Sequence, residues 1–325
     1  MDQISQITRP ILTEMEAFAA SFRDAMSHQN GLLSQALSHI RQQGGKRMRP
    51  MLIFLLAKNF SGVTPHTNDA ALALELLHTA SLVHDDVVDE SMERRGQSSV
   101  NAAYNNKVAV LVGDYILSMA LQHVSLTGDA QIMAIIARLG GMLSSGEILQ
   151  LSNIQSQEVS EEVYYQVISQ KTAALFEACA RIGALTSGAS AEQIERASLF
   201  GKHIGMIFQI RDDIFDYFDS KVIGKPTGND MLEGKLTLPV IYALQQCPDD
   251  AMNALALKVK AGTVTNGEIA QLIAFTKQHG GIEYARQVMD GLARKAQLFI
   301  DENVEKADIH AALTAYLDYV IQRQK

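Results

Sequence analysis

The stretch "IMAIIARLGGML", residues 132–143, decides the fold class. Its large apolar residues Ile132, Ile135, Ile136, Leu139, Met142 and Leu143 recur at intervals of three and four. That is the period of a helix with one buried face, not the alternation of a strand. The same reading extends outward, because proline is scarce around it. The 325 residues include only six prolines, Pro10, Pro50, Pro65, Pro226, Pro239 and Pro248, with none from His66 to Lys225. Proline is expelled from helix interiors, whereas the Ala, Leu, Ile, Met, Gln and Glu that dominate here favour them. Valine and threonine clusters bounded by Asn-Gly or Asp-Gly, the mark of hairpins, are missing. The pattern predicts helices near 4–27, 31–42, 50–60, 68–89, 101–124, 129–152, 159–187, 191–219, 236–246, 250–260, 266–279, 281–299 and 302–322. No linker or short repeat interrupts them, so the expectation is a single all-α domain over residues 1–325.

Bulk composition narrows the function classes. Apolar residues make up 47% and charged residues 20%, as in a globular protein with a large core. A net charge of −8 gives no basic footprint for nucleic acid. Cys179 and Cys247 are too few for a disulfide framework and point to a reducing, cytoplasmic setting. The start "MDQISQITRPILTEMEAF" reads as no secretory leader. Uninterrupted apolar runs such as "MLIFLLA", residues 51–57, fall short of the roughly 20 residues that span a bilayer, so no transmembrane segment is expected.

Charge is concentrated in "LVHDDVVDESMERRG", residues 82–96. Asp85 and Asp89 stand four apart on the helix predicted for 68–89, so their carboxylates share a face, with Asp86 turned about 100° away. A solvated helix end is the bland reading. Against it, acids at a helix C-terminus oppose the dipole, so the cluster costs stability unless cations sit there. Hard divalent cations take oxygen ligands, commonly one or two carboxylates plus substrate phosphates. The pattern then returns in "FQIRDDIFDY", where Asp212, Asp213 and Asp216 repeat the spacing inside another proline-free stretch. Two such triads on long helices suggest carboxylates pooled around several metals.

Basic residues cluster in glycine-bearing breaks beside these acids. "GGKRMRP" carries Lys46, Arg47 and Arg49, and "RRG" carries Arg94 and Arg95. "SQKTAALFE" carries Lys171 and Thr172, and "GKPTGNDMLEGK" carries Lys225 and Lys235. Each alone is most simply surface charge. Together, cations around metal-binding carboxylates are the chemistry of a diphosphate site, where arginine forks and lysine point charges hold phosphate oxygens.

The motifs "GGKRMRP", "LVHDDVVDE…RRG", "GDYILSMAL", "KTAALFE", "FQIRDDIFDY" and "GKPTGNDMLEGKLTLP" resemble, in order, those of the trans-isoprenyl diphosphate synthases, the polyprenyl synthetase family. The resemblance implies an isoprenoid-synthase-type helical bundle around a deep central cavity, usually homodimeric, that extends an allylic diphosphate with isopentenyl diphosphate. It implies three Mg²⁺ ions, two on Asp85 and Asp89 and a third on Asp212, with Asp86, Asp213 and Asp216 close behind. Arg94, Lys171, Lys225 and Lys235 would hold the allylic diphosphate. Lys46, Arg49, His78 and Arg95 would hold isopentenyl diphosphate, and Thr172 and Gln209 would lie beside the developing carbocation. Farnesyl-type members carry an aspartate where Gln150 stands. The released diphosphate takes the proton, so no protein base is required, and His84 reads as a structural neighbour.

Short-chain members resemble one another in bulky residues four and five positions before the first aspartate, where this chain has Ser81 and Ala80. Five residues of helix are about 7.5 Å, so small side chains leave the first floor of a tunnel open. Packing of Ala80 against a neighbouring helix is the bland alternative. Together with "GDYILSMAL" and "GEILQL", the resemblance implies a long-chain, octaprenyl-type product for a quinone side chain, with Leu76, Leu77, Met119 and His123 as candidates for stopping the chain. Product release would allow peripheral membrane contact. Other readings are a short-chain synthase, a non-catalytic subunit, which should lose metal aspartates, and a terpene cyclase, which should lack the second triad. A di-iron carboxylate bundle needs two Glu-x-x-His motifs, and only Glu75–His78 fits.

Overall fold

A computed structural model describes residues 2–156, 158–218 and 227–322. They form helices α1 (Gln3–Thr8), α2 (Leu12–Ala25), α3 (Gly31–Gln42), α4 (Met48–Asn59), α5 (Pro65–Val88), α6 (Val100–Ala103), α7 (Asn106–Leu126), α8 (Ala130–Gln155) and α9 (Glu161–Ile168). After a π-helical turn at Ser169–Ala173 come α10 (Ala174–Leu185), α11 (Ala191–Phe215), α12 (Asn229–Leu232), α13 (Leu238–Gln246), α14 (Asp250–Lys260), α15 (Asn266–Gln278), α16 (Gly281–Asn303) and α17 (Ala307–Gln322). The fold class is all-α. The chain groups into two compact units, Met1–Gly140 with Ala178–Ser198 and Val304–Ala315, and Gly141–Glu177 with Leu199–Asn303 and Tyr316–Lys325.

The opening stretch behaves as its period requires: Ile132, Ile136 and Leu139 are buried while Met133 and Arg138 are exposed. In the first unit, α4 is apolar all round and buries every residue from Pro50 to Ala57, which makes it a core helix. It packs on α5, and α5 packs most extensively on α7. That α5–α7 contact is close because Gly113 leaves room: a Cβ there would stand 2.2 Å from the His84 imidazole. His84 is therefore a packing residue that also meets Val110 O at 3.3 Å.

Several elements differ from expectation; the helix expected over 101–124, for one, is split into α6 and α7 around Tyr104 and Asn105, the latter capping α7 through its side chain. The helix expected over 4–27 breaks at Pro10 into α1, a 3₁₀ turn Arg9–Ile11 and α2, since proline lacks the N–H that a continuous helix needs. Helix α5 starts at Pro65, not at residue 68, because Pro suits the first helical position and Thr64 and Thr67 form a reciprocal capping box. The expected break "ESMERRGQSS", residues 90–99, contains a two-stranded hairpin, Glu93–Arg94 with Gln97–Ser98. Its turn uses Arg95 at φ 54° and Gly96 at φ 77°, the doubly left-handed backbone of a type I′ turn. Arg-Gly fills the two turn positions where Asn-Gly or Asp-Gly is the usual signal.

Two helices, α7 and α8, are long and apolar enough to cross a membrane by length and composition, with mean hydropathy 1.4 in each window. Expectation rested on uninterrupted runs and missed this, because isolated polar residues break the runs without lowering the mean far.

Candidate active site

The first unit gathers the residues of the first aspartate motif. Asp85 and Asp86 lie in the last turn of α5, and Asp89 caps it, donating its backbone N–H to Asp85 O at 2.8 Å. Asp86 is buried and receives a forked guanidinium: Arg94 Nε lies 2.9 and 2.8 Å from Oδ1 and Oδ2, and Nη2 lies 2.6 Å from Oδ1. Asn101 Nδ2 donates to Asp86 O and Ser91 O, holding the loop after the motif. The hairpin thus places Arg94 inward, while the turn at Arg95 sends its guanidinium to Gly44 O. Gly45 lies against that guanidinium, and a Cβ there would come within 2.6 Å of Arg95 Nη1 and push the side chain aside.

Arg95, Arg94, Arg49 and Arg47 all act on His78. Burial first, then these four cations, hold its imidazole well below the usual histidine range, so it is neutral at pH 7. Lys46 is exposed on the same loop. Arg47, passed over by sequence reasoning as a ligand, turns inward to Glu75 at 2.7 Å and covers the Phe22 ring at 4.0 Å. Glu75 therefore serves Arg47, which takes the carboxylate of the one Glu-x-x-His motif away from a di-iron reading. Ala80 is 2% exposed, and Ser81 Oγ donates to His78 O at 2.9 Å.

The second unit builds a cavity of about 220 Å³ whose lining includes Gln150, Lys171, Thr172, Gln209, Asp213 and Lys235. The π-helical turn presents Lys171 and Thr172, and such turns recur at functional positions. Two glycines let neighbours close on it: a Cβ at Gly146 would stand 3.0 Å from Lys171 N, and one at Gly205 would stand 2.5 Å from Ala173 Cα. Thr172 Oγ1 donates to Gln209 Oε1 at 2.8 Å, and Gln209 Nε2 donates to Asp213 Oδ1 at 2.8 Å. Tyr164 OH completes the chain on Asp213 Oδ2 at 2.6 Å. Burial pushes the Asp213 carboxyl up to about 7 despite those two donors, and the Asp212 and Asp216 charges add to the rise.

Asp216 works differently. Its oxygens accept the backbone N–H groups of Asn229 at 2.9 Å and Asp230 at 3.1 Å, so it caps α12. Gly228, at φ 79°, makes the turn that brings those amides round. Lys235 Nζ meets Glu233 Oε2 at 2.6 Å, Lys171 pairs with Glu147, and Gln150 Nε2 donates to Glu147 Oε1 at 3.1 Å. Lys225 lies outside the described residues. Sequence reasoning missed Tyr164, Glu147 and Asp230, whose carboxyl is raised first by burial and then by Asp213 and Asp216. Tyr164 was findable, lying seven and eight residues before Lys171 and Thr172, on the same face of a helix.

Among the described residues, no three His, Cys, Asp or Glu side chains converge enough to hold an ion alone. The donor set still fits a hard cation that is also held by phosphate: Asp85 and Asp89 present carboxylate oxygens at a helix C-terminus, where anions are otherwise disfavoured.

The polyprenyl synthetase family profile matches residues 30–276. Octaprenyl diphosphate synthase of Escherichia coli is 34% identical over 301 residues, 91% of this chain and 91% of that one. A solved geranylgeranyl pyrophosphate synthase from Bacteroides thetaiotaomicron is 48% identical, with a TM-score of 0.88, covering 99% of this chain and 100% of that one. A polyprenyl synthase from Caulobacter crescentus, complexed with calcium and isoprenyl diphosphate, gives a TM-score of 0.91 at 27% identity, covering 99% of this chain and 98% of that one. The chain belongs to the polyprenyl synthetase family, and it is an enzyme of the prenyltransferase class.

Proposed function

We propose that the enzyme is a Mg²⁺-dependent trans-polyprenyl diphosphate synthase, acting as one catalytic domain in the cytoplasm. It joins isopentenyl diphosphate head-to-tail to an allylic diphosphate and repeats the step to a long-chain product for a quinone side chain. One observation carries the reading: the hydrogen-bonded series Thr172–Gln209–Asp213–Tyr164 lines the same cavity as Lys171 and Lys235. Oxygen dipoles beside two ammonium groups suit a substrate that separates into an allylic cation and a diphosphate anion.

Asp85, Asp89 and Asp212 would hold three Mg²⁺ ions together with substrate, and Asp86, Asp213 and Asp216 support that set. Bound Mg²⁺ would stabilise the negative charge that collects on the departing diphosphate. The calcium and isoprenyl diphosphate of the Caulobacter relative support dependence on a divalent cation. Lys171, Lys235, Arg94 and Lys225 hold the allylic diphosphate. Lys46, Arg49 and Arg95 hold isopentenyl diphosphate beside neutral His78, which can donate a hydrogen bond without adding charge. Thr172 and Gln209 steady the carbocation while the isopentenyl double bond attacks it. The released diphosphate takes the proton that then leaves.

Product length turns on Ala80 and Ser81, whose small side chains support a long product. A second reading, geranylgeranyl-sized, is favoured by the 48% identity to the Bacteroides enzyme. Purified protein incubated with Mg²⁺, isopentenyl diphosphate and farnesyl diphosphate decides between them when products are sized by mass. A chain that makes no product on its own sinks both. Ala80→Phe should shorten a long product towards three or four isoprene units with the first condensation still fast. A destabilised variant with unchanged products would make Ala80 a core residue.

The active form is a homodimer. Support comes from apolar side chains left exposed on α7 and α8, Leu111 at 67%, Leu121 at 55% and Ile148 at 66% among them. Sedimentation of the purified protein tests this, and a stable monomer would overturn it.

A further inference from the structure

The first unit carries a second cavity, a groove of about 390 Å³ lined from α2, α3 and Arg47. Its floor is apolar: Met15 with Phe18 and Phe22, the two rings 1% and 4% exposed. Its remaining lining includes Arg23, Arg41 and Arg47 and no carboxylate, in a chain whose net charge is −8.

The three guanidiniums differ. Arg47 is matched by Glu75 at 2.7 Å and lies over the Phe22 ring. Neither Arg23 nor Arg41 makes an ion pair among the described residues, and the Nε of Arg41 is buried with no hydrogen bond. A buried N–H without an acceptor is costly. Two uncompensated positive charges therefore edge an apolar floor, in a volume suited to a small ligand.

We propose that this groove binds a small amphipathic phosphate monoester. The dianionic headgroup matches the two uncompensated charges, its oxygens accepting hydrogen bonds from the Arg41 fork and the exposed Arg23, and the apolar body lies over Met15 and Ala19, above the floor that Phe18 and Phe22 support. A guanidinium fork fits phosphate oxygens two at a time. A lone apolar ligand would leave the Arg41 N–H unmatched, and a monoanion would leave one charge uncompensated. Apart from Arg47, none of the lining belongs to the motifs that serve prenyl transfer.

The test is hydrogen exchange of the full chain titrated with octyl phosphate, read by mass spectrometry over residues 12–42. Those amides should become protected at one set of concentrations. Binding of octyl phosphate in the cavity around Lys171 and Thr172 instead would protect the segment around 146–172 and would overturn the proposal. Arg41→Gln should raise the midpoint about tenfold or more, since hydrogen bonds to charged groups are the strong ones. Ser38→Phe, which fills the groove from α3, should abolish the protection by an independent route. Octyl glucoside, with the same tail and no charge, should not protect. Equal protection by octyl glucoside, an unchanged midpoint in Arg41→Gln, or protection by phosphatidylglycerol vesicles but not by octyl phosphate would each overturn the proposal. The last outcome would make the surface a membrane contact.

Discussion

The two aspartate motifs share one spacing and differ in almost everything around it. In the first, the middle carboxylate, Asp86, is met by the forked guanidinium of Arg94. In the second, the middle carboxylate, Asp213, is met by neutral donors, the Tyr164 hydroxyl and the Gln209 amide. Neutral donors in a buried setting let the Asp213 carboxyl rise to about 7. The last aspartates diverge too. Asp89 ends its helix in solvent, while Asp216 caps the next helix through two backbone amides. Motifs of one spacing thus receive two kinds of support, ionic in one unit and hydrogen-bonded in the other.

The largest expected effect tests what the motifs have in common. Asp85→Ala and Asp212→Ala should each lower turnover by several orders of magnitude at saturating substrates, with circular dichroism unchanged because alanine is the better helix former. Near-normal turnover of either variant at limiting Mg²⁺ would remove that aspartate from the metal set.

The next test separates the two motifs. Arg94→Ala strands a buried carboxylate, a change that costs about 3–5 kcal/mol, towards the lower figure because the guanidinium is 26% exposed. Tyr164→Phe removes one neutral donor from Asp213, which can protonate, so the loss is about 1–2 kcal/mol. Denaturant unfolding of the two variants beside the parent checks the order, and equal losses would erase the contrast.

The smallest effect concerns pH. His78 is depressed in the folded chain, so its contribution is present above its ordinary value near 6.5 and is lost as pH falls towards the folded value. Asp213 is raised, so its contribution is present below about 4 and is lost as pH rises to about 7. Melting temperatures measured against pH should show His78→Gln flattening the acid side and Asp213→Asn removing the fall in stability between pH about 4 and about 7. If either difference curve is flat, the burial argument at that residue fails.

Much of this is legible in the sequence alone. The period of Ile132, Ile136 and Leu139 fixes a helix and its buried face, because side-chain direction repeats with the backbone. Lys171, Thr172, Gln209, Asp213 and Lys235 were all named from motifs, and one cavity collects them. The hairpin at residues 93–98 was not legible, because Arg95 occupies a left-handed position that its side chain does not advertise. Nor was the π-helical turn, since Ser169–Ala173 has ordinary helical composition. It is marked only by glycines far along the chain, Gly146 and Gly205.

By itself the sequence determined the helical class, the two aspartate spacings and the set of cations around them. These follow from local periodicity, proline placement and residue chemistry, which need no distant partner. Only the tertiary structure decided that Arg94 neutralises Asp86, that Tyr164 holds Asp213, and that His78 stays uncharged among four arginines. The physical reason is that charge state depends on burial and on which dipoles and ions lie within a few ångströms. Asp213 meets Tyr164 from 49 positions away, and Arg47 meets Glu75 from 28. No local pattern encodes those meetings; the packing of the helices makes them.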